Sequence, residues 1–117
     1  MNLVEYAISF ETPSVEEFSY LRTKIGWGEI DSEMAENSLC SSLFHVVIRK
    51  QSKLIGMGRV VGDGAMYFYI QDVIVDPDYQ KQGHGNAMME QIECYLLGVA
   101  KKGATIGLLA AKGKENF

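Results

Sequence analysis

The residues able to do chemistry gather in one stretch, Val73-Ile74-Val75-Asp76-Pro77-Asp78-Tyr79-Gln80-Lys81-Gln82-Gly83-His84-Gly85-Asn86. A β-branched run stops at Val75, and Pro77 cannot continue a strand ladder. A loop with glycines at 83 and 85 then leads into a long helical pattern. Backbone N–H groups at a helix start have no intrahelical partner, and the helix dipole adds partial positive charge there. Glycines leave room for an anion to approach the backbone. The segment is therefore a candidate pyrophosphate cradle, with Gln80 able to donate an amide hydrogen bond and Lys81 adding charge. The plainer alternative is a glycine-eased turn from strand to helix. Two familiar phosphate motifs are excluded. A P-loop would end in Gly-Lys-Ser/Thr, which does not occur. A dinucleotide fingerprint needs a small residue where Met88 stands, and an acidic ribose partner at a spacing this chain does not provide.

The elements that must position this segment follow from periodicity and turn chemistry. Residues 2–10 alternate partly and predict a strand. Ser14 with Glu17 three residues on fits a capping box, and Val15, Phe18, Leu21 and Ile25 recur at helical spacing before Gly26-Trp27-Gly28 ends the helix. Asp31 can cap a second helix reaching about Leu39. Residues 43–49 and 54–61 predict two strands joined by Gln51-Ser52-Lys53. Gly62-Asp63-Gly64 turns the chain into residues 66–75, whose nearly continuous apolar character predicts a central strand. A helix is expected over about 83–101, with Met88, Met89, Ile92, Tyr95, Leu96 and Val99 as its apolar stripe. Residues 104–111 predict a last strand. The order β-α-α-β-β-β-α-β is a mixed α/β fold: a mostly antiparallel central sheet flanked by helices, ending in a β-α-β crossover.

Composition bounds the class. The chain has 117 residues with 47% hydrophobic and 22% charged side chains, ordinary for one globular domain spanning 1–117. At this size about two thirds of the unfolded surface can be buried, so a core is attainable without disulfides or metals. No apolar run approaches the roughly 20 residues of a membrane helix, and the first residues do not resemble a secretory signal. Two separated cysteines suit the cytoplasm. A net charge of −4 argues against a general nucleic-acid binder, and two His and two Cys make no metal-ligand spacing. The charge is uneven: residues 1–40 hold eight acidic and two basic side chains, a balance of −6, against +2 for the rest. That is either a solvated helical face or a protein with one end suited to a cation and the other to an anion.

The pattern Val75-x-Pro77-x-Tyr79-Gln80-x-x-Gly83-x-Gly85-x-x-Met88-Met89 after a central strand resembles the acetyl-CoA signature of the GNAT N-acetyltransferase superfamily. The element order is similar to that fold along essentially the whole chain, and the likeness is sharp over about 69–97. The resemblance implies a GNAT-like acyl-CoA N-acyltransferase fold and acetyl-CoA as co-substrate, without a metal. It implies that Val73, Ile74 and Val75, splayed from a neighbouring strand by a bulge, pair with the pantetheine arm. The main chain of Lys81, Gln82, Gly83, His84, Gly85 and Asn86 would hold the pyrophosphate, with Gln80 in a position that Gln or Arg occupies. A backbone N–H at Val73 would stabilise the oxyanion. The reaction implied is direct attack of a primary amine, on a small molecule or a protein, in a ternary complex.

Asp72 is the candidate general base, directly or through water; its alternative is a structural carboxylate paired with Arg59. Trp27, Glu29 and Asp31 are candidates for the acceptor wall, with Trp27 otherwise core or lid. His45 reads as a hydrogen-bonded core residue, and Cys94 as half-buried and without a catalytic part. The family resembled usually adds a helix and strands after the stretch matching 104–111, often with a tyrosine that protonates the leaving thiolate. Residues 112–117 look like the approach to that helix, so the fold is expected to be C-terminally short. Tyr67, Tyr69, Tyr79 and Tyr95 do not match that tyrosine. An open sheet edge near 104–111 would favour a homodimer. The competing function is a non-catalytic or regulatory module that binds acyl-CoA.

Overall fold

The computed structural model describes residues 6–108. Strand β1 (Tyr6–Ser9) is followed by helices α1 (Val15–Lys24) and α2 (Ser32–Cys40), then by the meander β2 (Phe44–Lys50), β3 (Lys53–Gly62) and β4 (Tyr67–Val75). A 3-10 turn (Pro77–Tyr79) leads to helix α3 (His84–Val99) and strand β5 (Thr105–Leu108). The five strands form one sheet in the order β1-β2-β3-β4-β5, antiparallel except for the parallel pair β4–β5. This is the mixed, mostly antiparallel α/β architecture expected from the sequence. The ends of the first and last expected strands, at 2–5 and 109–111, lie outside the described residues.

Local chemistry sets the boundaries. Ser14 Oγ accepts from the Glu17 amide at 3.1 Å while Glu17 Oε1 accepts from the Ser14 amide at 3.0 Å, so the expected capping box starts α1. The same Glu17 carboxylate receives Arg49 Nη1 from β2 at 2.6 Å, which ties the helix start to the sheet. Asp31 Oδ2 accepts from the Met34 amide at 2.9 Å and caps α2. Asp63 Oδ1 accepts from the amides of Ala65, Met66 and Tyr67, each at 2.9 Å, and folds the β3–β4 turn.

Both sheet faces are covered. Helix α3 packs Met88, Ile92 and Leu96 on Val46, Ile48, Ile55, Val60, Phe68, Ile70 and Val75. Helices α1 and α2 pack Phe18, Leu21, Ala35 and Leu39 on Val47, Leu54, Met57 and Ile74. A Cβ on Gly58 would lie 3.2 Å from Ile92 Cδ1 and 3.5 Å from Val73 Cγ2, so the absence of a side chain there lets α3 lie close to β3.

Strand β4 changes parity along its length. Phe68 and Ile70 face α3, whereas Ile74 faces α1 and α2. The cause is a register shift: Arg59 pairs with Gln71 and Met57 with Ile74, so Asp72 and Val73 together oppose Gly58.

Two expectations are corrected. Cys94 is exposed, not half-buried, because the helix turns it away from the Ile92–Leu96 stripe. Val99 also leaves the expected stripe and is exposed at the end of α3.

Candidate active site

The bulge and the start of α3 make one site at the end of β4. Asp72 takes a left-handed conformation, φ 54°, which few residues other than glycine adopt. Pairing with β5 involves Tyr67 to Ile70, so among the described residues the backbone of 71–75 has no strand partner on that side. Val73 thus sits where the strand leaves its ladder with β3, and no described residue pairs with it on the β5 side. This is the splayed geometry that an added extended chain could pair with.

The loop that follows is pinned at several points. The Asp76 side chain is fully buried; its Oδ1 caps the 3-10 turn by accepting from the Asp78 amide at 2.9 Å. Lys24 of α1 reaches across with Nζ 2.9 Å from Asp76 Oδ1 and 2.8 Å from Asp78 Oδ2. Hydrogen bonding to Asp76, then Asp78, holds the Lys24 ammonium well above its ordinary pKa, and the same lysine holds Asp78 below the usual carboxylate range. Gln80 donates from Nε2 to the Val75 carbonyl at 3.0 Å. Its side-chain amide thus braces the loop internally, a use the sequence reading did not include.

Lys81 and Gly83 have positive φ, 63° and 87°, and Gly83 is the N-cap of α3 without any side-chain capping bond. The first helical bond runs from the Ala87 amide to the Gly83 carbonyl at 3.0 Å. The amides of His84, Gly85 and Asn86 therefore stand at the helix start with neither an intrahelical partner nor a side-chain cap. A left-handed glycine followed by uncapped amides is a donor set suited to phosphate oxygens.

His84 is buried, its ring edge-on to Tyr6 with centroids 4.6 Å apart, and burial pushes its pKa down. Its Nε2 is buried without a partner. Tyr6 Oη donates to Gln82 Oε1 at 3.3 Å, so β1 helps to hold the loop before α3. Lys81, Gln82 and Asn86 are exposed.

Asp72 lies on the α1–α2 side of the sheet. Its Oδ2 accepts from Arg59 Nε at 2.8 Å, and its Oδ1 faces Arg22 Nη1 at 3.6 Å. The pairing with Arg59 is the structural alternative raised by the sequence. Trp27 packs at the margin of the α1–α2 core with the Arg22 guanidinium 5.3 Å from its ring. Its cation partner is thus a residue of its own chain. Glu29 and Asp31 are exposed, and the Asp31 carboxylate is used as the α2 cap. His45 is buried and donates from Nε2 to the Leu39 carbonyl at 2.9 Å, in keeping with its expected core role.

Lys24, Arg22, Tyr6 and Asp76 were not singled out from the sequence. Arg22 and Lys24 are the only basic residues within 1–40, and that isolation among acids was the available signal. The described residues contain no group of three His, Cys, Asp or Glu side chains able to hold a metal, and no helix long and apolar enough to cross a membrane.

A fold with this bulge and uncapped helix start matches a known family. The model of the acetyltransferase (GNAT) domain matches residues 41–117, and the chain belongs to that family. A crystal structure of a protein of unknown function from meticillin-resistant Staphylococcus aureus, described as a probable acetyltransferase, is 35% identical with a TM-score of 0.85; the match covers 91% of this chain and 80% of that one. A GNAT family acetyltransferase from Streptococcus pneumoniae is 29% identical with a TM-score of 0.73, over 92% of this chain and 76% of that one. GCN5-related N-acetyltransferase 2, chloroplastic, of Arabidopsis thaliana is 47% identical over 49 residues, 42% of this chain. The matched stretch is 19% of that protein's length, so the two are similar over a segment only.

Proposed function

We propose that this protein transfers an acetyl group from acetyl-CoA to a primary amine within a ternary complex. The observation that carries this reading is the adjacency of two backbone features: the bulge at Asp72–Val73, on a stretch of β4 that no described strand pairs on the β5 side, and the uncapped amides of His84, Gly85 and Asn86. The first suits an extended amide-bearing arm and the second a pyrophosphate. Acetyl-CoA carries both and supplies the activated thioester. Val73, Ile74 and Val75 would pair with the arm, and the main chain from Lys81 to Asn86 would hold the phosphates. The Gln80 amide, already bonded to Val75, would keep strand and loop in fixed relation.

In the transfer a nitrogen–carbon bond forms, the carbon–sulfur bond breaks, the amine loses a proton and the thiolate gains one. Val73 N–H is the donor for the oxygen that gains charge. The acceptor is a small molecule or a protein amine, approaching from the side of Trp27, Glu29 and Asp31. Two exposed, free cysteines fit a reducing cytoplasm.

The test is a pair of measurements. Millimolar acetyl-CoA should raise the melting temperature, and free thiol should appear on adding amines from a broad panel. No thermal shift would sink every CoA reading. A shift without thiol release from any amine would favour the non-catalytic acyl-CoA module.

A further inference from the structure

We propose that Arg59 is a positioning residue for acyl transfer, acting through Asp72: the ion pair pins the left-handed residue of the β4 bulge and so sets the direction of the Val73 N–H. The proposal rests on the acetyltransferase reading and gives Asp72 a use other than proton transfer.

Arg59 stands at the last regular pair before the bulge, opposite Gln71; the next pair is Met57 with Ile74. It is a buried arginine with four of its five N–H groups donating in the bonds that follow. Nε donates to Asp72 Oδ2 at 2.8 Å. Nη1 donates to the Ser38 carbonyl at 2.9 Å and to Ser42 Oγ at 2.9 Å, and Nη2 to Ser38 Oγ at 2.9 Å. Its guanidinium also lies 5.8 Å from the Phe18 ring centre. One side chain therefore joins the C-terminal end of α2, the side of α1 and the bulge.

The position of Asp72 gives this brace a consequence. Asp72 has φ 54° and directly precedes Val73. A residue held at positive φ in a bulge bends the strand and re-aims the peptide that follows, so the orientation of the next amide depends on keeping it there. The Arg59 bond to Oδ2 and the Arg22 contact to Oδ1 hold the Asp72 side chain from two sides. A planar guanidinium can satisfy Asp72, Ser38 and Ser42 at once, whereas a lysine ammonium has no such fork.

The positioning role and the general-base role predict opposite results for one substitution. Asparagine tolerates the left-handed conformation, and its Oδ1 can accept from Arg59 Nε, but it cannot take a proton from an amine. We therefore compare the wild type with D72N, D72A, R59K and R59M, measuring kcat and KM by thiol release between pH 6 and 9, with melting temperature as the control for folding.

D72N should keep kcat within about threefold and leave the pH profile unchanged, while folded R59M and D72A should lose about 100-fold in kcat. R59K should fall between them. The loss should be larger in kcat than in acetyl-CoA affinity, which a general loss of stability would not produce. If D72N loses activity as D72A does and the acid limb of its pH profile disappears, Asp72 is the base and the proposal is wrong. If D72A keeps wild-type kcat, the brace has no catalytic consequence and the proposal is equally wrong. Should R59M fail to fold, the contrast between D72N and D72A decides. A wild type that releases no thiol with any amine would instead overturn the acetyltransferase reading, a separate outcome.

Discussion

The two long sides of β4 are held by different physics. Toward β3 the ladder is broken by the Asp72–Val73 bulge, and charged side chains hold the irregularity: Arg59 and Arg22 on Asp72, Lys24 on Asp76 and Asp78. Toward β5 the ladder is a regular parallel one over Tyr67 to Ile70, with no charged brace between its paired residues. Beside it lies a groove of about 710 Å³ lined by Ile70, Met89, Leu96, Leu97, Ala104 and Ile106 among others. An irregular backbone loses ladder hydrogen bonds and needs side chains to fix it, whereas a regular ladder needs none. The polar anchors therefore collect where the chemistry is proposed, and the plain apolar surface collects where the sheet is ordinary.

The largest stability effect should come from removing an anchor on the β3 side. K24M removes the nearest cation from the fully buried Asp76 carboxylate and leaves it the Asp78 amide on Oδ1 and the Lys53 ammonium 4.0 Å from Oδ2. We expect the melting temperature to fall by roughly 5–10 °C, because removing the closest partner of a buried charge is destabilising even where a more distant cation remains. The double variant K24M/D76N, which keeps a capping oxygen for the Asp78 amide, should recover part of the loss. A K24M protein as stable as the wild type would break the idea that this side is held electrostatically.

A smaller effect, with a defined sign, is expected from acid. Burial is the main cause that pushes His84 and His45 below their ordinary pKa of 6.5; for His45 it outweighs the bond to Leu39, and the charge of Arg59 adds to it. The unfolded chain then binds more protons than the folded one between the folded values and 6.5, so stability falls as pH drops through that window and levels off below it. Glu17 is held below 4.5 chiefly by its hydrogen bond to Arg49, so its contribution is present above 4.5 and is lost as pH falls through the folded value. Melting temperature followed from pH 8 to 3 should decline in these two stages, and H84Q should weaken the first. A flat profile from pH 7 to 5 would contradict the burial of both imidazoles.

The smallest effect should come from the β5 side. Leu97 is 85% exposed beside the groove, so L97K should change stability by no more than about 0.5 kcal/mol and leave thiol release unaltered. The same variant reports on association. If a second copy covers this face, sedimentation should show L97K shifting toward monomer; an unchanged sedimentation coefficient would remove this face as a dimer contact.

Much of the fold was legible because its signals are local. Ser14 and Glu17 announced the start of α1, Asp31 that of α2, and Asp63 the β3–β4 turn, each through bonds spanning four residues or fewer. The glycine-led, uncapped start of α3 was legible for the same reason, since Gly83 and the first turn of the helix lie within one segment. The anchors were not. Lys24 meets Asp78 across 54 positions, and Tyr6 meets Gln82 across 76. No periodicity or spacing encodes such pairs.

The sequence by itself determined the order of the elements, the two-faced apolar patterning and the glycine-eased entry into α3, because strand and helix periods and turn preferences act over a few residues. Tertiary structure decided the direction of the Asp72 carboxylate, the parity change along β4 and the use of Gln80 as a brace. Each depends on which distant side chains are near enough to share a hydrogen bond, and only the packed sheet brings Arg59, Arg22, Ser38 and Asp72 together.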